Sequence, residues 1–585
     1  MPRGVTPQQL AAGGLSPGLL SAGLGSVPAE QTYLDITQGN RVFDSLYDSE
    51  LPSLGGDCSA WGAVVARADS APADIVPGLL PRTLAEAGIG VRMGVGASCT
   101  FSAPESRTAA PAPPKKLSGG PYPNPAQTFE VRNATLGEVS SLVRGLRGND
   151  LLIAVEKPPP PNDEALSMGV AGRGFGGNLT SDSTRLDGYV LSTDIAPTVL
   201  RRFGIRAPDG MSGQEIRSEG SIDPEAVASL GDRMAAIPGR RGAVVGFALL
   251  VWSVALALAA AATGGRLGRP GVRTAGLAVV YLPLVLLLGA ALDASQAVEQ
   301  LLTIFGAPLL ALLTLAALGG YRALAVASGL TVLAYAVDVV AGSPLTSLSL
   351  LGPDPGLGVR FYGIGNELEA LLAVLVVAGT GAALTGFAPR LSPRVSAASF
   401  LVAGLAAAFV FAAGRFGADV GAAIVLPLGA AVAAATFATR RRRALLIAAA
   451  APIAAVGLLA LVDLLSGANA HLTRSVLDAG GLDDLSQVAQ RRLQLSAHSF
   501  ARPIVFIFMP LLVVVGVLAF LWRERIGASL RARPSMRAGL AGALAATLIG
   551  TLANDSGALL LEIGTAYLLV FAGYAWAEAG DPGGR

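Results

Sequence analysis

Charged residues, cysteines and histidines are all scarce in this sequence. Charged side chains make up 14% of the 585 residues, hydrophobic ones make up 52%, and the mean hydropathy is +0.56. A soluble protein carries roughly a quarter charged residues. The composition therefore excludes a soluble globular protein and indicates an integral membrane protein. The net charge of +2 also argues against a nucleic-acid partner, which would select a strongly basic surface.

The few histidines and cysteines limit the chemistry that the chain can support. His471 and His498 lie in the second half of the chain, whereas Cys58 and Cys99 lie in the first. Because zinc sites are built from clustered Cys and His ligands, the sequence predicts no metal and no cofactor. A disulfide between the cysteines is possible if the first half lies outside the cytoplasm, and two unpaired thiols fit the sequence equally well.

Polarity divides the chain into two parts. Residues 1–235 are mixed in polarity and rich in proline and glycine, whereas long runs of Ala, Leu, Val and Gly dominate residues 236–580. Residues 1–45 suggest short strands and turns, and helices alternate with strands beyond them. This alternation predicts an α/β layer fold with a mainly parallel sheet. The clearest segments are a helix over Ile75–Ala87, a strand over Val91–Val95, a helix over Leu136–Leu146 and a strand over Leu151–Val155.

Leu179–Leu200 and Pro208–Gly213 resemble the C-terminal segment of alkaline-phosphatase/sulfatase-superfamily domains. In that family a strand leads into an Asp-Ile-Ala-Pro-Thr helix, here Asp194–Thr198, followed by a Gly-Ile turn and a Met-Ser-Gly turn. The resemblance implies an alkaline-phosphatase-like domain over residues 1–235. Active members place metal ligands in an Asp-His-Gly sequence after a strand equivalent to Leu151–Val155, but this chain has Glu-Lys-Pro at 156–158.

The resemblance therefore implies a degenerate domain, a pseudoenzyme that has lost its metal ligands. Thr32 or Thr37 falls in the region of the family's nucleophile, but nothing nearby in the sequence would activate a hydroxyl. The family's first metal-binding Asp lies on a first strand that this sequence does not include. We therefore expect the domain to be truncated at its N-terminus.

Residues 236–580 predict an all-α polytopic transmembrane domain of about eleven helices. Each apolar run is long enough to span a bilayer. The runs lie at 242–262, 274–292, 301–318, 323–340, 368–386, 395–413, 420–438, 444–465, 503–522, 537–553 and 557–576. Arginines concentrate in the loops after the first, third, fifth, seventh and ninth runs, which predicts that these loops are cytoplasmic.

This orientation predicts a multi-pass protein of the bacterial inner (plasma) membrane, with its N-terminal domain and the 466–502 loop extracytoplasmic. An exported N-terminal domain needs a signal peptide or an earlier span. Residues 1–6 lack the basic start and apolar core of a signal peptide. We therefore expect the native chain to begin upstream of Met1.

One polar stretch, Gly358–Glu369, interrupts the apolar runs of the membrane domain. It places Arg360, Asn366, Glu367 and Glu369 at or just inside a bilayer boundary, where ionisable groups usually face a bundle interior or a water-filled cavity. The predicted topology collects further polar residues on the same outer face. The candidate catalytic residues are Glu367, Asp419 and Asp555, and the candidate substrate-binding residues are Arg360, Tyr362, Asn366, Arg415, Arg474 and Asn554.

The motif Arg-Phe-Tyr-Gly-Ile-Gly-Asn-Glu at 360–367, with Asn-Asp-Ser-Gly at 554–557, resembles an uncharacterised bacterial membrane family. In that family a phosphatase-like domain precedes a polytopic domain, and the resemblance implies no activity. Three functions remain open. The chain binds or processes an anionic, lipid-linked or phosphorylated cell-envelope substrate, or it is a proton-coupled transporter or flippase that uses Asp419, Asp555 and Glu562, or it is a scaffold that binds other envelope-assembly proteins.

Overall fold

The computed structural model contains a small mixed sheet near the N-terminus and a largely helical remainder. Contacts divide the chain into an N-terminal unit, residues 1–236 with 354–361, and a membrane unit, residues 237–353 with 362–585. The structure describes residues 1–54, 59–71, 73–94, 97–101, 127–159, 165–263, 268–438, 523–554 and 556–579, with scattered positions from 442 to 521.

In the described part of the N-terminal unit, eight strands are interspersed with helices. The strands are β1 (Ser16–Ser21), β2 (Gly90–Met93), β3 (Thr128–Val131), β4 (Leu151–Val155), β5 (Leu166–Gly172), β6 (Asn178–Ser181), β7 (Tyr189–Leu191) and β8 (Ile216–Glu219). The helices are α1 (Pro7–Ala12), α2 (Ala29–Gln38), α3 (Trp61–Asp69), α4 (Leu79–Glu86), α5 (Leu136–Gly145) and α6 (Ile195–Arg202), and α7 (Pro224–Arg241) runs on into the membrane unit.

The main sheet has the order β4-β5-β1-β7 and is mixed rather than mainly parallel. Strand β1 pairs antiparallel with β5 and parallel with β7, and β4 pairs antiparallel with β5. The expectation of a mainly parallel sheet is wrong for these strands, because the short connection from β4 to β5, residues 156–165, suits an antiparallel pair and a parallel pair needs a longer crossover. In β5, Leu166, Met168 and Val170 join one hydrophobic core while Ala171 joins another, as the two-residue period of a strand requires.

Several sequence predictions need correction at element level. Residues 1–45 contain two helices besides β1, and α2 replaces the predicted strand and turn around Tyr33–Ile36. Gly39 ends α2 in the left-handed conformation, as a C-terminal glycine allows. Helix α4 begins at Leu79, not at Ile75, because Gly78 has a φ of 70°. The predicted helix near 136–146 and the strand at 151–155 are confirmed.

Residues 354–361 belong to the N-terminal unit although they lie far along the chain. Arg41 donates to the Gly358 carbonyl at 2.8 Å, and its guanidinium lies 5.4 Å from the centre of the Phe361 ring. The Tyr189 hydroxyl donates to the Pro355 carbonyl at 3.3 Å. The first part of the polar stretch therefore packs with residues of the N-terminal unit, and Asn366, Glu367 and Glu369 belong to the membrane unit.

Eight described helices are long and apolar enough to cross a bilayer, and all of them lie in the membrane unit except the first part of Pro224–Ala262. They are Pro224–Ala262, Gly268–Ala291, Gln296–Leu318, Gly320–Val340, Asn366–Phe387, Pro393–Ala412, Pro534–Ala553 and Gly557–Ala579. The run predicted at 420–438 forms the shorter apolar helix Val420–Ala435. The runs at 444–465 and 503–522 lie mostly outside the described residues, so eight spans are supported and the count of eleven stays a prediction.

We number the helices of this unit in chain order. They are α8 (Phe247–Ala262), α9 (Gly268–Ala291), α10 (Gln296–Leu301), α11 (Ala307–Leu318), α12 (Gly320–Val340), α13 (Asn366–Phe387), α14 (Pro393–Ala412), α15 (Val420–Ala435), α16 (Arg523–Leu530), α17 (Pro534–Ala553) and α18 (Gly557–Ala579). Helix α13 is central and contacts α12, α15, α17 and α18.

Small residues let the central helices approach closely. A Cβ added to Gly539 would lie 3.1 Å from the Cα atoms of both Ala378 and Gly381, and one added to Gly542 would collide with the Gly429 carbonyl. Lipid tails are as apolar as leucine, so membrane helices associate through such close packing rather than through burial of apolar surface from water. These contacts bring α17 close to both α13 and α15.

Candidate functional site

The first turn of α13 carries a buried carboxylate. Glu369 is only 1% exposed, and its Oε2 accepts a hydrogen bond of 2.7 Å from Nδ2 of Asn554. The same amide nitrogen donates to Oδ1 of Asn366 at 3.2 Å. One amide thus bridges two side chains of α13, and together Glu369, Asn366 and Asn554 form what we call the carboxylate–amide cluster.

The local sequence explains how α13 begins beside another loop. Gly363 has a φ of 77°, and a Cβ at this position would collide with the Gly417 carbonyl. The amide of Ile364 donates to that carbonyl at 3.2 Å. A glycine is needed where a backbone with positive φ approaches another backbone this closely. The loops before α13 and α15 are therefore held together by their main chains.

The N-terminus of α15 forms one wall of the cluster. Asp419 is 1% exposed, and its Oδ1 caps the helix by accepting from the Ala422 amide at 3.0 Å. In the first turn, a Cβ added to Gly421 would lie 2.6 Å from both carboxylate oxygens of Glu369. The Glu369 carboxylate thus lies against the start of α15, where the helix dipole stabilises negative charge.

Asn554 is positioned by the turn that joins α17 to α18. Its Oδ1 accepts from the Ser556 amide at 3.1 Å, which orients the side chain so that Nδ2 faces α13. The hydroxyl of Ser499 accepts from the Ala558 amide at 3.0 Å and holds the start of α18. Asn554 therefore presents its amide to Glu369 while its own oxygen is held by the Ser556 amide.

The other predicted site residues are distributed more widely. Glu367 is half-buried and lies 3.9 Å from the guanidinium of Arg241. Arg415 is exposed, and its guanidinium lies 5.9 Å from the ring centre of Phe416. Tyr362 is half-buried in the membrane unit, and Arg360 belongs to the N-terminal unit. Arg474 and Asp555 lie outside the described residues.

Of the predicted site residues, the structure brings Asn366 and Asn554 together. It adds Glu369 to them, whereas the sequence prediction chose Glu367 as the catalytic glutamate. The spacing of these residues in the sequence could have identified Glu369. Asn366 and Glu369 are three residues apart, so they share a face of a helix, whereas Glu367 and Glu369 are two apart and do not. Once α13 is known to begin at Asn366, this spacing selects Glu369 as the partner of Asn366.

No known protein family, curated protein or solved structure matches the chain. The site must therefore be interpreted from its own chemistry. Among the described residues, no group of three or more His, Cys, Asp or Glu side chains could hold a metal ion. The described geometry offers two buried carboxylates, Glu369 and Asp419, the side-chain amide of Asn554 and the N-termini of α13 and α15.

The N-terminal unit contains a second buried polar group, centred on α2. Oδ1 of Asp35 accepts from the amides of Gln31 and Gln38 at 2.8 and 3.0 Å. Burial raises the pKa of Asp35 to about 7. The two threonines predicted in the nucleophile region lie on the same helix and are buried, and the Thr37 hydroxyl donates to the Tyr33 and Leu34 carbonyls. Its proton is thus engaged within the helix.

Proposed function

We propose that this integral membrane protein is a proton-coupled transporter or flippase and that Glu369 is its proton-exchanging carboxylate. The observation that carries the proposal is the buried position of Glu369 in the first turn of an apolar helix, with Asn554 donating at 2.7 Å. Ionisable groups within membrane-spanning segments are costly and commonly mark proton or ion pathways. A carboxylate that serves as a coupling site must gain and lose a proton without a change in the fold around it.

The surroundings of Glu369 support reversible protonation. Asn554 is neutral, so its amide orients the carboxylate without adding a charge, and Asn366 accepts from the same amide nitrogen. Interrupted helices with polar ends at the bilayer are also typical of secondary transporters, and here the starts of α13 and α15 meet at paired glycine-containing loops.

The arginines support an orientation. Contacts join the start of α9, the start of α12 and the end of α18 at one end of the membrane unit, through Arg273–Glu578 at 2.8 Å and Tyr574–Gly320 at 2.8 Å. Arginines accumulate there, whereas the cluster lies at the opposite ends of α13 and α18. By the positive-inside rule, we propose that the arginine-rich end is cytoplasmic and that the cluster and the N-terminal unit are extracytoplasmic, in a bacterial plasma membrane.

Purified protein in liposomes tests the proposal. Wild type, Glu369→Gln and the matched control Glu367→Gln are compared for movement of a fluorescent polyprenyl-phosphate lipid, with and without an imposed pH gradient. We expect gradient-dependent movement by wild type and by the control, and its loss in Glu369→Gln. Equal gradient-dependent movement by Glu369→Gln would refute the role of this carboxylate. Absence of movement by every protein, with normal function of both variants in cells, favours a scaffold.

A second candidate is an enzyme that binds or processes a lipid-linked anionic substrate at the outer interface. The exposed guanidinium of Arg415, four residues before the buried Asp419, favours it, because arginine binds phosphate oxygens through two parallel donors. In this case Glu369 or Asp419 would act as a general base. Turnover of the lipid substrate in detergent, where no gradient exists, distinguishes the enzyme from the transporter.

A further inference from the structure

A patch of arginines and exposed apolar side chains lies where α13 ends and α14 begins, far along α13 from the carboxylate–amide cluster. Arg322 at the start of α12 reaches this junction, since its Nε donates to the Gly386 carbonyl at 2.9 Å and its guanidinium lies 5.6 Å from the Phe387 ring centre. Arg390 and Arg394 lie on the connecting loop and in the first turn of α14. We call Arg322, Arg390 and Arg394 the junction patch.

The charge of the junction patch is not neutralised within the described part of the chain. All three side chains are exposed, and among the described residues none of them forms an ion pair. Glu369, the nearest acidic residue before Arg390 and Arg394 in the sequence, lies in the cluster at the opposite end of α13. Three exposed positive charges therefore belong to the junction of α13 and α14 without an ion-pair partner among the described residues.

Exposed apolar side chains lie next to these arginines in the chain, and one of them, Phe387, contacts Arg322. Phe387 is 53% exposed, Leu391 41% and Val395 47%. A soluble anion or a nucleic acid would meet the arginines but would leave these side chains in water. A lipid satisfies both requirements, because its phosphate headgroup can bind guanidinium groups while its acyl chains cover the adjacent apolar surface.

We propose that the junction patch binds the phosphate headgroup of an anionic membrane lipid. The planar guanidinium groups of Arg390 and Arg394 supply paired donors for phosphate oxygens. The N-terminus of α14 adds favourable dipole charge, and Arg322, held by the Gly386 carbonyl, contributes a third positive charge from α12. The proposal does not depend on the transport proposal, because it concerns the other end of α13 and needs no proton exchange.

Lipid binding to the full-length protein in detergent tests the proposal. Phosphatidylglycerol and phosphatidylcholine with identical acyl chains are titrated, and bound lipid is counted by native mass spectrometry. We expect wild type to prefer phosphatidylglycerol, and the triple variant R322Q/R390Q/R394Q to lose affinity by roughly fivefold for each arginine removed, since each contributes about 1 kcal/mol near an anionic surface. The matched control R144Q/R147Q/R206Q removes three arginines from the N-terminal unit and should retain the preference.

Two further measurements separate loss of lipid binding from misfolding and from simple phosphate binding. The triple variant R322K/R390K/R394K retains the charge and should recover most of the preference, even if loss of charge in the glutamine variant lowers expression. Excess inorganic phosphate should displace little phosphatidylglycerol, because it cannot occupy the apolar surface. Equal binding of both lipids by wild type, an unchanged preference in a folded glutamine variant, or full displacement by inorganic phosphate would overturn the proposal.

Discussion

Asp35 should make the stability of the N-terminal unit fall as pH rises from about 4 to about 7. The Asp35 side chain is buried, and desolvation raises its pKa from 3.8 to about 7. In the native state it therefore keeps its proton over a range in which the unfolded chain has released it. The native state then binds more protons than the unfolded state, and stability decreases with pH across this window. The stabilisation that comes from the raised pKa of Asp35 is fully present below pH 3.8 and is lost above about pH 7.

The magnitude follows from the size of the shift. Each pKa unit corresponds to about 1.36 kcal/mol, so a shift from 3.8 to about 7 corresponds to roughly 4 kcal/mol of unfolding free energy between the ends of the window. Hydrogen bonds from Gln31 and Gln38 and the positive charges of Arg41 and Arg67 already offset part of the desolvation. Desolvation remains the largest cause, so the protonated carboxyl is the native form at acidic pH.

Asp35→Asn provides the test, because asparagine keeps an oxygen that accepts from Gln31 and Gln38 but does not titrate. Denaturant unfolding is followed through Trp61, which lies in a core of this unit, after the other three tryptophans are replaced by phenylalanine. We expect the difference in unfolding free energy between wild type and variant to change by several kcal/mol from pH 4.5 to pH 7.5. Asp182→Asn is the control, and its effect should run the opposite way, since the ion pair with Arg217 lowers the pKa of Asp182. A pH-independent difference for Asp35→Asn would refute the reasoning.

Three more predictions concern the membrane unit. Gly421→Ala should destabilise the protein in detergent by about 1–3 kcal/mol, because its Cβ would lie 2.6 Å from the Glu369 carboxylate oxygens. The control is Gly306→Ala, whose Cβ would meet no atom within 4 Å. Equal shifts in melting temperature for the two variants would contradict the geometry. Gly421→Ala should also reduce gradient-dependent lipid movement, measured in liposomes, and full activity would show that the position of Glu369 is unimportant. Asp338→Ala should cost about 1–3 kcal/mol, because the Asp338 carboxylate is buried and accepts from the Thr346 amide at 2.7 Å; an unchanged melting temperature would exclude this role.

The sequence predicts the membrane unit better than it predicts the N-terminal sheet. A span is recognised from one local property, an apolar run about 20 residues long, and eight such runs form apolar helices of sufficient length. Sheet order depends on pairings between strands far apart in the chain. The pairing of β1 with β5, for example, joins Ser16 to Val170, and no periodicity near either residue encodes that contact.

Helix α2 shows a different reason for error. Its buried residues include Gln31 and Gln38, which donate to Asp35, as well as Leu34 and Ile36, so polar and apolar side chains are mixed on the buried part of the helix. An apolar spacing rule cannot detect a helix of this kind. The neighbouring Gly39 ends the helix with a φ of 64°. A glycine marks where a helix or a strand can end, so it does not show which of the two precedes it.

The site illustrates how helix phase separates two acids of similar sequence position. Glu367 and Glu369 both occupy the first turn of α13, yet successive positions turn by about 100°, so the two side chains leave the helix on nearly opposite sides. Glu367 lies near Arg241 with 28% of its side chain exposed, whereas Glu369 is directed into the bundle and is 1% exposed. Moving a charge into such a place costs several kcal/mol unless polar groups receive it, and here Asn554 and the start of α15 do so. An apolar residue at position 369 would pack there without that cost, so the presence of a carboxylate requires a reason beyond stability, and reversible proton binding is the reason we propose.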